Sequence, residues 1–183
     1  MKSLVPIVLI LLLAGCAHSS SSRRTASSAA IPVNGEIVNA TRLSAGGRLG
    51  LSLFKAGPQA EADEQLDRIS MMLIKGITER LSNAKTSLYI TEDEDKADPI
   101  LQGYVEEFSQ PGRFDRWVKH AKFSRLAVSG EVWQRESGTK VLTFASSQKI
   151  PLKDLPMDTA YEMGVAIGDF IVASQERSKG EAT

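Results

Sequence analysis

Two stretches of the chain carry apolar residues at helical spacing. Between residues 59 and 81, Leu66, Ile69, Leu73, Ile77 and Leu81 recur every three or four positions, which puts them on one face of an α-helix. Glu61, Asp63, Glu64, Asp67, Lys75, Glu79 and Arg80 fall mostly on the wet side, acidic residues first and basic ones later, as the helix dipole favours. A second stripe, Ala160, Met163, Gly164, Ile167 and Ile171, predicts a helix over 158–175 with Asp158 as its N-cap. Shorter apolar runs read as strands. One covers 49–54, after the Gly46-Gly47 turn and closed by Gly57-Pro58; another covers 87–91. Pro99 opens a third through residue 108, with Ile100, Tyr104 and Val105 apolar and Gly103 allowing close approach. Residues 123–133 alternate in part through Leu126, Val128 and Val132, and 141–150 follow as their partner across the Gly-containing turn at 135–139.

The order is strand, helix, strand, strand, hairpin, helix. It predicts an α/β fold: a single two-layer sandwich with a mostly antiparallel or mixed sheet and two amphipathic helices packed on one face. Gly164 and Gly168, four residues apart, predict close packing of the last helix on its own sheet; the flanks are too polar for a membrane helix pair. Residues 177–183 read as a frayed, flexible tail.

The amino terminus follows a different grammar. Lys2 supplies a positive charge, residues 4–13 are almost wholly apolar, and two small residues precede the single cysteine. This is the organisation of a secretion signal, and the run is shorter than the roughly 20 residues a spanning helix needs. Leu13-Ala14-Gly15-Cys16 resembles the lipobox of bacterial lipoproteins. The resemblance implies a signal peptide over 1–15, cleavage between Gly15 and Cys16, and lipidation of the Cys16 thiol. Several acyl chains on one residue give an effectively permanent membrane anchor. Ala17 follows where an Asp would favour inner-membrane retention, so the resemblance implies the outer membrane, with the folded part facing the periplasm. Residues 16–30 read as the lipidated cysteine and a Ser-rich tether carrying Arg23 and Arg24. Residues 31–176 then form one α/β envelope domain.

Charge narrows the function little. Twenty-two basic residues balance twenty-two acidic ones, so nothing in the bulk electrostatics points to nucleic acid. With Cys16 taken by lipid, the folded part has no thiol for a disulfide, a metal or a nucleophile. No cofactor and no metal is expected. The acidic segment 92–98 lacks the spacing and glycine of a calcium loop and reads as a solvated turn or short helix.

The folded part resembles a group of small envelope lipoproteins that share an α/β domain with the amino-terminal domain of TolB and the curli-secretion lipoprotein. Three stretches carry the likeness: the strand-then-helix run from 49 to 81, Ala97-Asp98-Pro99-Ile100-Leu101-Gln102-Gly103-Tyr104-Val105, and Val128-Ser129-Gly130-Glu131-Val132 leading to Ser137-Gly138. The resemblance implies a non-catalytic accessory or binding role in envelope transport, secretion or assembly, and carries no catalytic site across.

The residues themselves offer little for catalysis. His120 is the one histidine of the folded part, and Ser129-Gly130 lacks the elbow that exposes a hydrolase serine. Glu106, Glu107 and Glu131 could be drawn into a glycosidase pair, as in many strand-rich proteins. An envelope hydrolase acting on glycan or peptide is the alternative reading, and a subunit of a ring- or filament-forming assembly is a third. The binding candidate is the basic segment Arg113, Arg116, Lys119, Lys122 and Arg125, interleaved with Phe114, Trp117 and Phe123. It suits an anionic lipid or glycan, or the acidic surface of an envelope protein complex; the other reading is a connector whose aromatics cover the core.

Overall fold

The stripe Leu66, Ile69, Leu73, Ile77 and Leu81 is buried throughout, and it seats helix α2 (Glu64–Asn83) on a seven-stranded sheet. The computed structural model describes residues 30–60, 64–91, 93–109 and 122–181. In chain order the strands are β1 (Val33–Ile37), β2 (Gly47–Leu51), β3 (Lys55–Ala56), β4 (Leu88–Thr91), β5 (Ile100–Ser109), β6 (Phe123–Gln134) and β7 (Thr139–Pro151). They lie in the order β1-β7-β6-β5-β2-β4, and β3 runs along β5 beyond the end of β2. Neighbours from β1 to β5 are antiparallel, whereas β2 is parallel to both β4 and β5. The result is the two-layer α/β arrangement with a mixed, open sheet that the pattern predicts.

Along β6, Ser124, Leu126, Val128, Gly130 and Val132 are buried, while Phe123, Arg125, Ala127, Ser129 and Glu131 are not. Alternation of this kind means that one face is covered by helices and the other is open. The covered face carries a transverse row, Gly35, Phe144, Gly130 and Gly103, across β1, β7, β6 and β5. The Phe54 ring lies 2.3 Å from where a Cβ on Gly103 would stand, and the Phe144 ring is as close to Gly130. Gly103 allows the close approach that the sequence predicts, and the approaching group is Phe54.

Among the described residues there are three α-helices, not two. The extra one, α1 (Ala40–Ala45), is capped by Asn39, whose side chain accepts the Arg42 N–H at 3.1 Å, and it buries Leu43. The last helix, α3 (Pro156–Glu181), overruns its predicted bounds at both ends. Pro156 opens it, as proline suits a first helical position, so Asp158 lies inside the first turn and is not the N-cap. At the far end Ser174, Gln175 and Ser178 are buried, so the helix continues past residue 175. The Gln175 amide donates to Leu43 O and Ser87 Oγ and accepts the Ser87 N–H, tying α3 to α1 and to the start of β4. A buried amide is stable only when satisfied in this way.

Gly164 packs differently from the expectation. A Cβ there would stand 2.2 Å from Leu73 O, and a Cβ on Gly76 would stand 2.3 Å from Tyr161 O. The small residues of α3 therefore meet α2, not the sheet. The predicted strand over 49–54 also resolves into β2, ending at Leu51, and a loop that delivers buried Phe54.

Between β4 and β5 the chain crosses the end of β2, because Gly50 pairs with Thr91 on one side and Ile100 on the other. Ala97 is buried in this crossing, and Arg48 and Asp98 exchange backbone hydrogen bonds of 3.1 and 2.8 Å. A 3-10 turn at Glu94–Lys96 sits within it, and Lys96 Nζ bonds Asp93 at 2.5 Å. That bond, foremost, holds the Asp93 carboxyl below its ordinary range. Its contribution to stability is present above the ordinary carboxylate pKa and is lost as pH falls through the lowered value.

Candidate functional site

Of the basic segment picked out in the sequence, Arg113, Arg116, Trp117 and Lys119 lie outside the described residues, as do Gly15, Cys16 and His120. Lys122 and Arg125 are described, and both are exposed at the start of β6. Arg125 Nη1 stands 3.3 Å from Glu107 Oε2 on β5, and its Nε is 3.5 Å from Ser147 Oγ on β7.

The β6–β7 register adds residues that the linear segment does not contain. Arg125 faces Lys149, and Phe123 faces Pro151. Beyond Pro151 the chain turns back, with Leu152 N donating to Lys122 O at 3.3 Å. Lys149 and Lys153 are exposed and form no ion pair among the described residues. Phe123 is 52% and Leu155 65% exposed. Among the described residues, Glu107, held by Arg125, and the exposed Asp154 and Asp158 are the acidic residues here, so the lysines outnumber the unpaired carboxylates. Like charges directly opposed across two strands cost stability, a cost that Glu107 offsets in part at Arg125.

The same end of the sheet receives the amino-terminal chain. Val33 pairs with Ser146, antiparallel, Ser146 Oγ donates to Pro32 O at 2.8 Å, and Ala30 and Ile31 line a groove with Tyr161, Glu162 and Val165 of α3. The chain therefore enters β1 in the half of the domain where β7 ends and α3 begins, the half that carries the basic, apolar end of the sheet.

The three carboxylates considered for catalysis do not converge. All lie on β5 or β6, each with a separate partner: Glu106 accepts the Ser129 hydroxyl, Glu107 pairs with Arg125, and Glu131 Oε2 lies 2.6 Å from Lys140 Nζ. Lys140 Nζ also stands 5.1 Å from the centre of the Trp133 ring. Both contacts are partly solvated, so Lys140→Ala should lower the unfolding free energy by about 1 kcal/mol or less, read from the urea midpoint.

A crevice of about 510 Å³ opens where β2 and β4 end, with Leu51, Ser52, Ile74, Thr78, Ile90 and Thr91 along its walls and Gln102 and Arg135 at its margin. None of the three glutamates lines it. The Arg135 side chain reaches Asp95 at 3.9 Å and its backbone N–H donates to Asp98 Oδ1, which fastens the β6–β7 turn to the crossing segment. These are structural ties. No helix among the described residues is long and apolar enough to cross a membrane.

No family model matches the sequence, and no curated protein matches it either. Solved structures do match. A single-substitution variant of PelC from Paraburkholderia phytofirmans, a dodecamer, superposes with a TM-score of 0.55 at 12% identity, covering 77% of this chain and 98% of that one. The PelC dodecamer in a second crystal form gives 0.55 at 11%, with the same coverage. Lipoprotein GNA1162 from Neisseria meningitidis gives 0.43 at 10%, covering 69% of this chain and 99% of that one. At such identities the likeness to PelC is one of fold.

Proposed function

We propose that this protein is a lipid-anchored envelope protein that works in several copies, without catalysis, as an accessory or binding subunit of a transport, secretion or assembly system. In this reading it sits at the outer membrane, attached through acyl groups on Cys16 and facing the periplasm. The supporting observation is the fold: nearly the whole length of a protein that assembles as a dodecamer is matched by this chain. The sheet is compatible with assembly, since among the described residues β1 and β4 each pair on one side only. Open edges of this kind are ready templates for another chain. Head-to-tail contact between two different edges generates a ring when the rotation closes. Tyr89, on β4, is 68% exposed beside such an edge.

Crosslinking in intact cells, followed by recovery of the chain and mass spectrometry, tests the proposal. Wild type should give a ladder of self-crosslinked multiples together with an envelope complex, and Cys16→Ser should lose that complex. A monomer recovered alone in both would remove the accessory reading.

A further inference from the structure

The end of the sheet where β6 begins and β7 ends is cationic and carries exposed apolar side chains. Lys122, Lys149 and Lys153 are exposed there, and Phe123 and Leu155 project among them. Two independent facts bear on what this end meets. The first is composition: basic side chains around solvent-facing Phe and Leu suit a surface that is anionic outside and apolar within. The second is position. Residues 30–32 lead into β1 in the half of the domain where β7 ends and α3 begins, and the stretch from Cys16 to Ala30, even fully extended, reaches at most roughly 50 Å. The anchor therefore holds this end within reach of the bilayer.

We propose that this end of the sheet docks on the surface of the membrane that holds the anchor. Lys122, Lys149 and Lys153 face the phosphates of anionic lipid head groups, and Phe123 and Leu155 enter the interfacial layer between them. This rests on Cys16 as the membrane attachment. An acidic protein surface would satisfy the lysines, but nothing places such a partner at the end from which the anchor departs. Docking sets the orientation of the domain: the β6–β7 turn at the opposite end of the sheet points away from the membrane, and both open edges lie at its sides, free for neighbouring copies.

The test uses the mature chain from residue 16 with Cys16→Ser, so that no acyl group contributes, and vesicles of phosphatidylcholine with or without phosphatidylglycerol. The chain should sediment with the phosphatidylglycerol vesicles and not with pure phosphatidylcholine, and added salt should release it. Lys149→Glu with Lys153→Glu should weaken partitioning by about tenfold or more. Phe123→Ser with Leu155→Ser should weaken it while leaving the salt dependence in place. All four positions are exposed or at a strand end, and unchanged urea midpoints show that the variants fold. Binding that ignores phosphatidylglycerol, or that survives charge reversal undiminished, overturns the proposal. Loss of the attachment reading is seen separately, as an unmodified Cys16 peptide mass from cells.

Discussion

Replacing Gly164 by valine should cost on the order of 4 kcal/mol of unfolding free energy, a large part of the stability of a domain this size. A side chain at 164 meets the backbone of α2: its Cβ would lie 2.2 Å from Leu73 O and 3.0 Å from Leu73 C. Neither atom can rotate aside. The helices must separate, and separation loosens Leu73, Ile77, Met163 and Ile167, all fully buried. Gly76 makes the reciprocal contact, so the two helices interlock at small residues from both sides. Urea unfolding reads the effect as a midpoint lowered by roughly 2 M with the slope retained. Gly180, on the same helix, has nothing within 4 Å of its added Cβ. Gly180→Ala should raise stability by up to about 1 kcal/mol, through helix propensity alone. Equal midpoints for Gly164→Val and wild type would mean that α2 and α3 do not pack in this way.

The same glycine shows what a sequence can carry. Small residues four apart announce a close approach on one helix face, and that much was legible. What approaches was not, because spacing along one helix holds no information about its neighbour. The apolar stripes of α2 and α3 and the β6–β7 hairpin were readable for the opposite reason: each is a local periodicity that a single burial direction explains. β1 was not readable, since its strand VNGEI is exposed at three central positions and shows no alternation. Helix α1 has six residues and buries one, too few for a period. The end of α3 is not legible in the sequence, because Ser174, Gln175 and Ser178 have the polarity of solvent-facing residues, and only the fold brings Ser87 and Leu43 to Gln175.

The candidate site divides along the same line. Lys122 and Arg125 were found as members of a basic run. Lys149, Lys153 and Leu155 are not legible in the same way. Counting outward from the turn pair Gln134–Thr139 brings residue 148 opposite residue 125, and only the bulge between Val132 and Trp133 moves that partner on to Lys149. In the sequence the charge run is a segment; the fold makes part of it one end of a sheet.

The glycine row on the covered face of β5 and β6 predicts a change of sign. Gly103→Ala alone should destabilise by roughly 2–3 kcal/mol, because its methyl group would stand 2.3 to 2.6 Å from three carbons of the Phe54 ring. Phe54→Ala alone should cost about 3–5 kcal/mol through the cavity it leaves. In the double variant the ring is gone, the three nearest obstacles to the Gly103 methyl have gone with it, and alanine suits a strand better than glycine. Gly103→Ala should then be neutral or stabilising by up to about 1 kcal/mol. The coupling is thus at least about 2 kcal/mol, read from a four-member cycle of urea midpoints. Gly130 supplies the contrast. Its Cβ would meet the Phe144 ring at 2.3 Å but also Gln102 O at 2.8 Å. Removing the Phe144 ring leaves the carbonyl of β5 in place, so Phe144→Ala should rescue Gly130→Ala only in part. Full rescue at both positions, or at neither, would show that the rings do not lie over the glycines as described.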